Sequence, residues 1–182
     1  ESKFKQMAKF DEVWSAITLL YLKPLKSNLN TPLIQSTFHP PDLAFCDQIL
    51  GKVSRSFAAV IRQLPEHLLV DILIFYLVLR ALDTIEDDTT AFPSAEVKIQ
   101  ELKKFYTQAL VDPTWSKDGV GEGDERRLLQ EFPKCHAVFA KLNPAAQIII
   151  ADIATRMGEG MAEFIDKDMG QGTEDIDQYN RY

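Results

Sequence analysis

Apolar positions recur at spacings of three and four along most of the chain. Phe4, Met7, Trp14, Ile17 and Tyr21 predict an amphipathic first helix. From Pro24 to Pro41 prolines and turn formers dominate, and the segment reads as a connector. Asp42 opens a helix that runs through Phe45, Ile49, Val53, Phe57 and Val60 and stops near Pro65. A second long helix spans roughly 66–88, followed by a turn over 89–94. Ser94 is the N-cap of a helix to about Leu110. Residues 111–123 hold Pro113 and three glycines and predict a surface loop. A further helix covers roughly 124–142, with a break near Pro133. Asn143 and Pro144 read as N-cap and first helical position of a helix that extends towards Lys167. A last helical start follows Gly172. Apolar and polar residues alternate over no long stretch, so the predicted class is all-α.

The 182 residues are 46% hydrophobic and 26% charged, which suits a globular domain large enough to bury a core. The most apolar stretch, 68–82, is shorter than the roughly 20 residues of a membrane span and carries Asp71 and Arg80. It reads as a core helix. The net charge of -7 repels phosphate backbones, so nucleic acid is not an expected partner. A small anionic ligand would need a cation or a local group of arginines to hold it. Cys46 and Cys135 are the only cysteines and lie far apart in sequence. They predict reduced thiols rather than a disulfide framework or a zinc site. Lys3, Lys5 and Lys9 are not followed by a clean apolar block, so no signal peptide is expected.

The chemistry concentrates at the end of the most apolar helix. Asp83, Glu86, Asp87 and Asp88 fall within six residues, and Asp83, Glu86 and Asp87 can share one direction. A helix C-terminus carries partial negative charge, so each acid there costs roughly 0.3–1 kcal/mol. Like charges at i,i+4 add a similar penalty. A hard cation would reverse both terms. Mg²⁺ fits because it takes one or two carboxylates, keeps waters, and completes its shell with substrate phosphate oxygens. A solvated acidic helix end is the competing explanation. Upstream residues favour the metal: Tyr76, Arg80, Asp83 and Asp87 form one stripe on an otherwise apolar helix.

Two other places stand out. Ser54, Arg55, Ser56 and Phe57 interrupt an apolar helical pattern, and serine is unfavourable mid-helix unless its hydroxyl has a partner. Arg55 offers a planar fork suited to phosphate, although one arginine between serines is also ordinary surface. Gly158 and Gly160 each cost about 1 kcal/mol against alanine inside a helix. They imply close approach of another helix or of a ligand.

Three segments together resemble eukaryotic squalene synthases. These are Val-Ser-Arg-Ser-Phe-Ala-Ala-Val-Ile over 53–61, Phe-Tyr-Leu-Val-Leu-Arg-Ala-Leu-Asp-Thr-Ile-Glu-Asp-Asp over 75–88, and Arg-Met-Gly-Glu-Gly-Met-Ala-Glu-Phe over 156–164. The resemblance runs from about Cys46 to the end and divides the chain into an N-terminal helix and connector (1–40) and part of a catalytic domain (41–182). It implies the isoprenoid-synthase helical bundle around a central cavity. The implied reaction condenses two farnesyl diphosphates to presqualene diphosphate and reduces that to squalene with NADPH. Asp83, Glu86 and Asp87 match the family's first Mg²⁺ motif, with Asp83 and Asp87 also catalytic. Arg55 and Arg80 match positions that hold phosphates of substrate or NADPH. Ser54, Phe57 and Tyr76 match the lining of the prenyl cavity. Tyr182, after Asp-Gln-Tyr-Asn-Arg, matches the tyrosine of the first half-reaction.

The family's second aspartate-rich motif and C-terminal membrane anchor are not in this sequence, which is therefore expected to be part of a longer chain. Location at the cytosolic face of the endoplasmic reticulum membrane is implied by the family only. Two alternatives stay open: a phytoene or dehydrosqualene type of synthase, which needs no NADPH, and a helical module without catalysis.

Overall fold

In the computed structural model residues 28–165 are described. The predicted helix over Phe4–Tyr21, the helical start after Gly172, and Tyr182 lie outside them. Among the described residues the structure is all helical. A 3-10 turn at Asn28–Asn30 precedes α1 (Pro32–Thr37), α2 (Pro40–Val53), α3 (Arg55–Ile61), α4 (Glu66–Asp87), α5 (Ala95–Ala109), α6 (Gly123–Gln130), α7 (Phe132–Phe139) and α8 (Pro144–Ile165).

Helix α4 is the axis of the fold. Leu69, Val70, Leu73, Ile74, Leu77, Val78, Ala81, Leu82 and Ile85 are all buried, covering most of its circumference. It contacts α2, α3, α5, α6, α7 and α8. Each such leucine or isoleucine contributes about 1.5–3 kcal/mol by leaving water, so this helix is anchored along its length. No described helix is long and apolar enough to cross a membrane.

Several predicted boundaries hold because their caps are local. The Ser94 hydroxyl accepts from Val97 N, and Asn143 Oδ1 accepts from Ala145 N at 2.9 Å. Others need correction. The predicted continuous helix from Asp42 to Pro65 is two helices. Ser54 is extended (φ -158°, ψ 101°), ends α2, and caps α3 by accepting from Phe57 N. The serine that looked misplaced mid-helix is an N-cap, worth about 1 kcal/mol. Helix α2 starts at Pro40 rather than Asp42, since Pro40 and Pro41 at its first positions have φ already set for a helix. The connector contains α1, entered through Pro32 in the same way. The 124–142 helix divides at Glu131, with Pro133 in the first turn of α7.

The segment 28–38 shares the main core. Asn28 N and Nδ2 donate to Arg62 O (3.2 Å) and Leu64 O (2.9 Å), and Leu29 and Ile34 are buried. Cys46 and Cys135 meet there too, with sulfurs 3.8 Å apart and both free. The neighbouring thiol and burial push the Cys46 thiol up, so it is inert as a nucleophile.

Helices α5 and α8 form the tightest helix pair. A Cβ built on Gly158 would stand 2.6 Å from Leu102 O, so the backbones meet where only glycine fits. Gly160 has nothing within 4 Å. Trp115, from the loop after α5, packs edge-on against Phe105 and Phe132 at centroid distances of 5.5 and 5.1 Å. The glycine-rich segment that follows returns to the end of α4, where Gly121 N donates to Asp88.

Candidate functional site

The last three turns of α4 carry Tyr76, Arg80, Asp83, Glu86 and Asp87. Two members of the predicted stripe, Tyr76 and Arg80, are in direct contact. Arg80 Nη2 donates to the Tyr76 hydroxyl at 2.9 Å, and its guanidinium carbon lies 5.7 Å from the Tyr76 ring centroid. This hydrogen bond pushes the Arg80 pKa further up, with Asp83 and Glu125 adding to it. Arg80 Nε is buried and has no hydrogen-bond partner. An unmet buried donor costs about 1–3 kcal/mol, so Arg80 is held at this place against a polar cost.

The carboxylates are held under electrostatic load. Burial raises the Asp83 pKa, and repulsion from Asp87 adds to the rise while Arg80 opposes it. Burial also raises Glu86, together with its hydrogen bond to Asp87. Among the described residues no three acidic, histidine or cysteine side chains gather into a metal cage. The donor set still fits Mg²⁺, which needs one or two carboxylates and takes its other oxygens from water and phosphate. A cation there would relieve the repulsion that these raised values record.

Asp88 has a different task from its neighbours. Its Oδ1 accepts from Thr90 N (2.8 Å) and Ala91 N (2.8 Å), and its Oδ2 from Gly121 N (2.7 Å). These donors hold its pKa down at about 2. Asp88 thus ties the glycine loop to the end of α4. Gly121 (φ 71°) needs the left-handed region, and a Cβ there would stand 2.4 Å from Thr84 Cγ2. Asp88→Asn is expected to cost about 1 kcal/mol at neutral pH, discounted for solvent screening. The lowered pKa makes this a contribution that is present above about pH 4 and lost as pH falls towards 2. Thermal melts should show the gap between wild type and variant closing over that window. A gap constant from pH 5 to pH 2 would contradict the tie.

Of the other sequence candidates, Phe57 joins the site: its ring lies 5.2 Å from that of Tyr76. Ser54 fixes the turn that presents Phe57. Arg55 is exposed at the first position of α3 and does not line the cleft at the end of α4. That cleft, about 410 Å³, lies between Arg80, Thr84 and Asp87 on one side and Gly121, Glu125 and Arg126 on the other. Sequence reading missed the second wall. Its signal was the Asp-Gly-Val-Gly-Glu-Gly run before Glu125 and Arg126, which reads locally as loop and nothing more.

Upstream of Arg80 the same side of α4 changes character. Leu68 and Ile72 precede Tyr76 at four-residue steps and are 41% and 37% exposed. Phe57 and Val60 on α3 are exposed as well. One helix therefore passes from apolar to aromatic to cationic to acidic over about 28 Å, at 1.5 Å per residue.

The family model described as squalene/phytoene synthase matches residues 50–182. The chain belongs to the squalene/phytoene synthase family. It is 48% identical over 141 residues to squalene synthase BSS of Botryococcus braunii, covering 78% of this chain and 30% of that protein. It is 40% identical over 178 residues to the squalene synthase of Eremothecium gossypii, covering 91% of this chain and 40% of that protein. The solved complex of TcSQS with the ligand BPH1237 is similar with a TM-score of 0.71 at 43% identity, over 78% of this chain and 40% of that one. The chain thus spans less than half the length of the relatives it matches. Within this squalene/phytoene synthase chain, the matched residues include the whole of α4 and the cleft at its end.

Proposed function

We propose that this chain is part of a squalene synthase that condenses two farnesyl diphosphates to presqualene diphosphate and reduces that product to squalene with NADPH. The observation that carries the reading is the single face of α4 that runs from Leu68 and Ile72 through Tyr76 to Arg80 and the acids. A prenyl diphosphate has the same order: a long apolar tail, then an anionic head. The tail would lie on Leu68, Ile72, Phe57 and Tyr76, and the head would reach Arg80.

Asp83 and Asp87, with Glu86 beside them, would hold Mg²⁺. Bound there, the ion would draw charge from the diphosphate and make it a better leaving group. Arg80, which lines the cleft, would orient the departing group through its terminal guanidinium nitrogens. The Tyr76 ring, fixed by Arg80 and Phe57, would offer a π face to the allylic cation left behind. Carbon–carbon bond formation must then release a proton. Tyr182, on the strength of the resemblance, would stabilise that cation and relay the proton. NADPH would supply the hydride of the second step, with Arg55 or Arg80 on one of its phosphates.

The test is incubation of the full-length protein with farnesyl diphosphate and Mg²⁺, with and without NADPH. Presqualene diphosphate without NADPH and squalene with it are expected. A dehydrosqualene-type product formed equally in both would move the protein to the NADPH-independent branch of the family. No prenyl product in either would overturn the reading.

A further inference from the structure

Exposed apolar side chains gather on one hairpin, α3 and α4. Val60 and Phe57 are 62% and 57% exposed and stand one turn apart on α3. Leu68 and Ile72 stand one turn apart on α4 and are exposed as well. The Phe57 ring meets that of Tyr76 at 5.2 Å, so the two rows run side by side and form one apolar face. A contiguous face of this kind marks a place where something docks.

The chain itself enters at the rim of that face. Asn28 donates to Arg62 O and Leu64 O, in the turn between α3 and α4, and the Thr31 hydroxyl donates to Glu66 at the start of α4. Arg62 follows Val60 by two residues, and Glu66 precedes Leu68 by two. Residues 1–27 lie outside the described residues, but their sequence supplies a matching element. Phe4, Met7, Phe10, Trp14, Ile17 and Tyr21 recur at steps of three and four, which makes one stripe of a helix. A helix over 4–21 would be about 27 Å long, against about 12 Å from Leu68 to Tyr76. The link over 22–27 reaches up to about 20 Å, enough to fold the stripe back on the hairpin. A segment tethered so closely meets the face at an effective concentration on the order of millimolar, ahead of a free partner.

We propose that residues 4–21 form an amphipathic helix whose apolar stripe docks over Val60 and the exposed face of α3 and α4, as an outer wall to that face. A prenyl tail on Leu68 and Ile72 would then run beneath it, out of water. That last point rests on the reaction proposed above; the docking does not.

Hydrogen exchange read by mass spectrometry on the full-length protein, without lipid or substrate, tests the docking. In water a lone helix of this length holds little protection, so slow exchange over 4–21 reports packing against the rest of the protein. Exchange at least about tenfold slower than the unfolded rate is expected there in the wild type. Val60→Asp puts a charge on the face. Trp14→Glu puts one on the stripe while improving helix propensity. Each should return 4–21 to within about twofold of the unfolded rate and leave the protection of α4 unchanged. Trp14→Glu should also speed exchange over 55–61, because the cover on α3 is lost, and it does so without altering the core. Unprotected 4–21 in the wild type, or protection that survives either variant, would overturn the proposal. Protection that appears only on addition of phosphatidylcholine vesicles would give the stripe to a membrane surface and overturn it equally. None of these outcomes bears on the reaction, which the product assay decides.

Discussion

Asp83→Asn or Asp87→Asn in the full-length protein should lower turnover by about a thousandfold or more and leave the melting temperature unchanged or slightly raised. The loss follows from the role assigned to these acids. Metal-assisted departure of a diphosphate is worth several kcal/mol, and each 1.36 kcal/mol is tenfold in rate. The stability result follows from their position. Without a cation, both carboxylates stand at the negative end of α4, and burial and mutual repulsion raise the Asp83 pKa. For an acid whose folded pKa is raised, the charged form costs stability above that pKa, so neutral asparagine removes the cost at pH 7. Steady-state assay beside a thermal melt reads both effects. Wild-type turnover in either variant would reduce the cluster to a solvated helix end.

Gly158→Ala should lower the stability of the chain clearly. The new Cβ would meet Leu102 O at 2.6 Å, and that oxygen belongs to the backbone of α5, which cannot swing aside as a side chain can. Overpacking of this kind costs about 1–3 kcal/mol, more than the roughly 1 kcal/mol that alanine gains in helix propensity over glycine. Gly160→Ala, two residues on in the same helix, should go the other way. Nothing lies within 4 Å of its Cβ, so only the propensity gain of up to about 1 kcal/mol remains. Chemical denaturation of the two variants checks the pair. Equal shifts of the same sign would contradict the close approach of α5 and α8.

The parts of the fold legible in the sequence are those fixed within a turn or two of helix. Ser94 and Asn143 cap helices with their own side chains, and the density of apolar residues in 68–82 marks α4 as the core. The Tyr76–Arg80–Asp83–Asp87 stripe is a property of one helix, so spacing alone places it. Ser54 was misread because apolar residues keep helical spacing on both sides of it. A hydroxyl that caps competes locally with helix continuation, and periodicity does not register that competition. The rest depends on contacts between distant residues. Gly158 stood out as glycine, but its partner Leu102 did not. Cys46 and Cys135, 89 residues apart, meet only through the packing of α2 on α7. Arg126 reaches the cleft because Asp88 pulls Gly121 across 33 residues, and nothing in either segment announces the other.

The account stands on the end of α4 as a place where a metal and a diphosphate bind together. Its most direct measurement is a calorimetric titration of an unreactive farnesyl diphosphate analogue into the full-length protein, with and without Mg²⁺, repeated with Asp87→Asn. Binding that strengthens at least about tenfold with Mg²⁺ in the wild type, and loses that dependence in Asp87→Asn, is the predicted result. Equal affinity with and without Mg²⁺ in the wild type would contradict it.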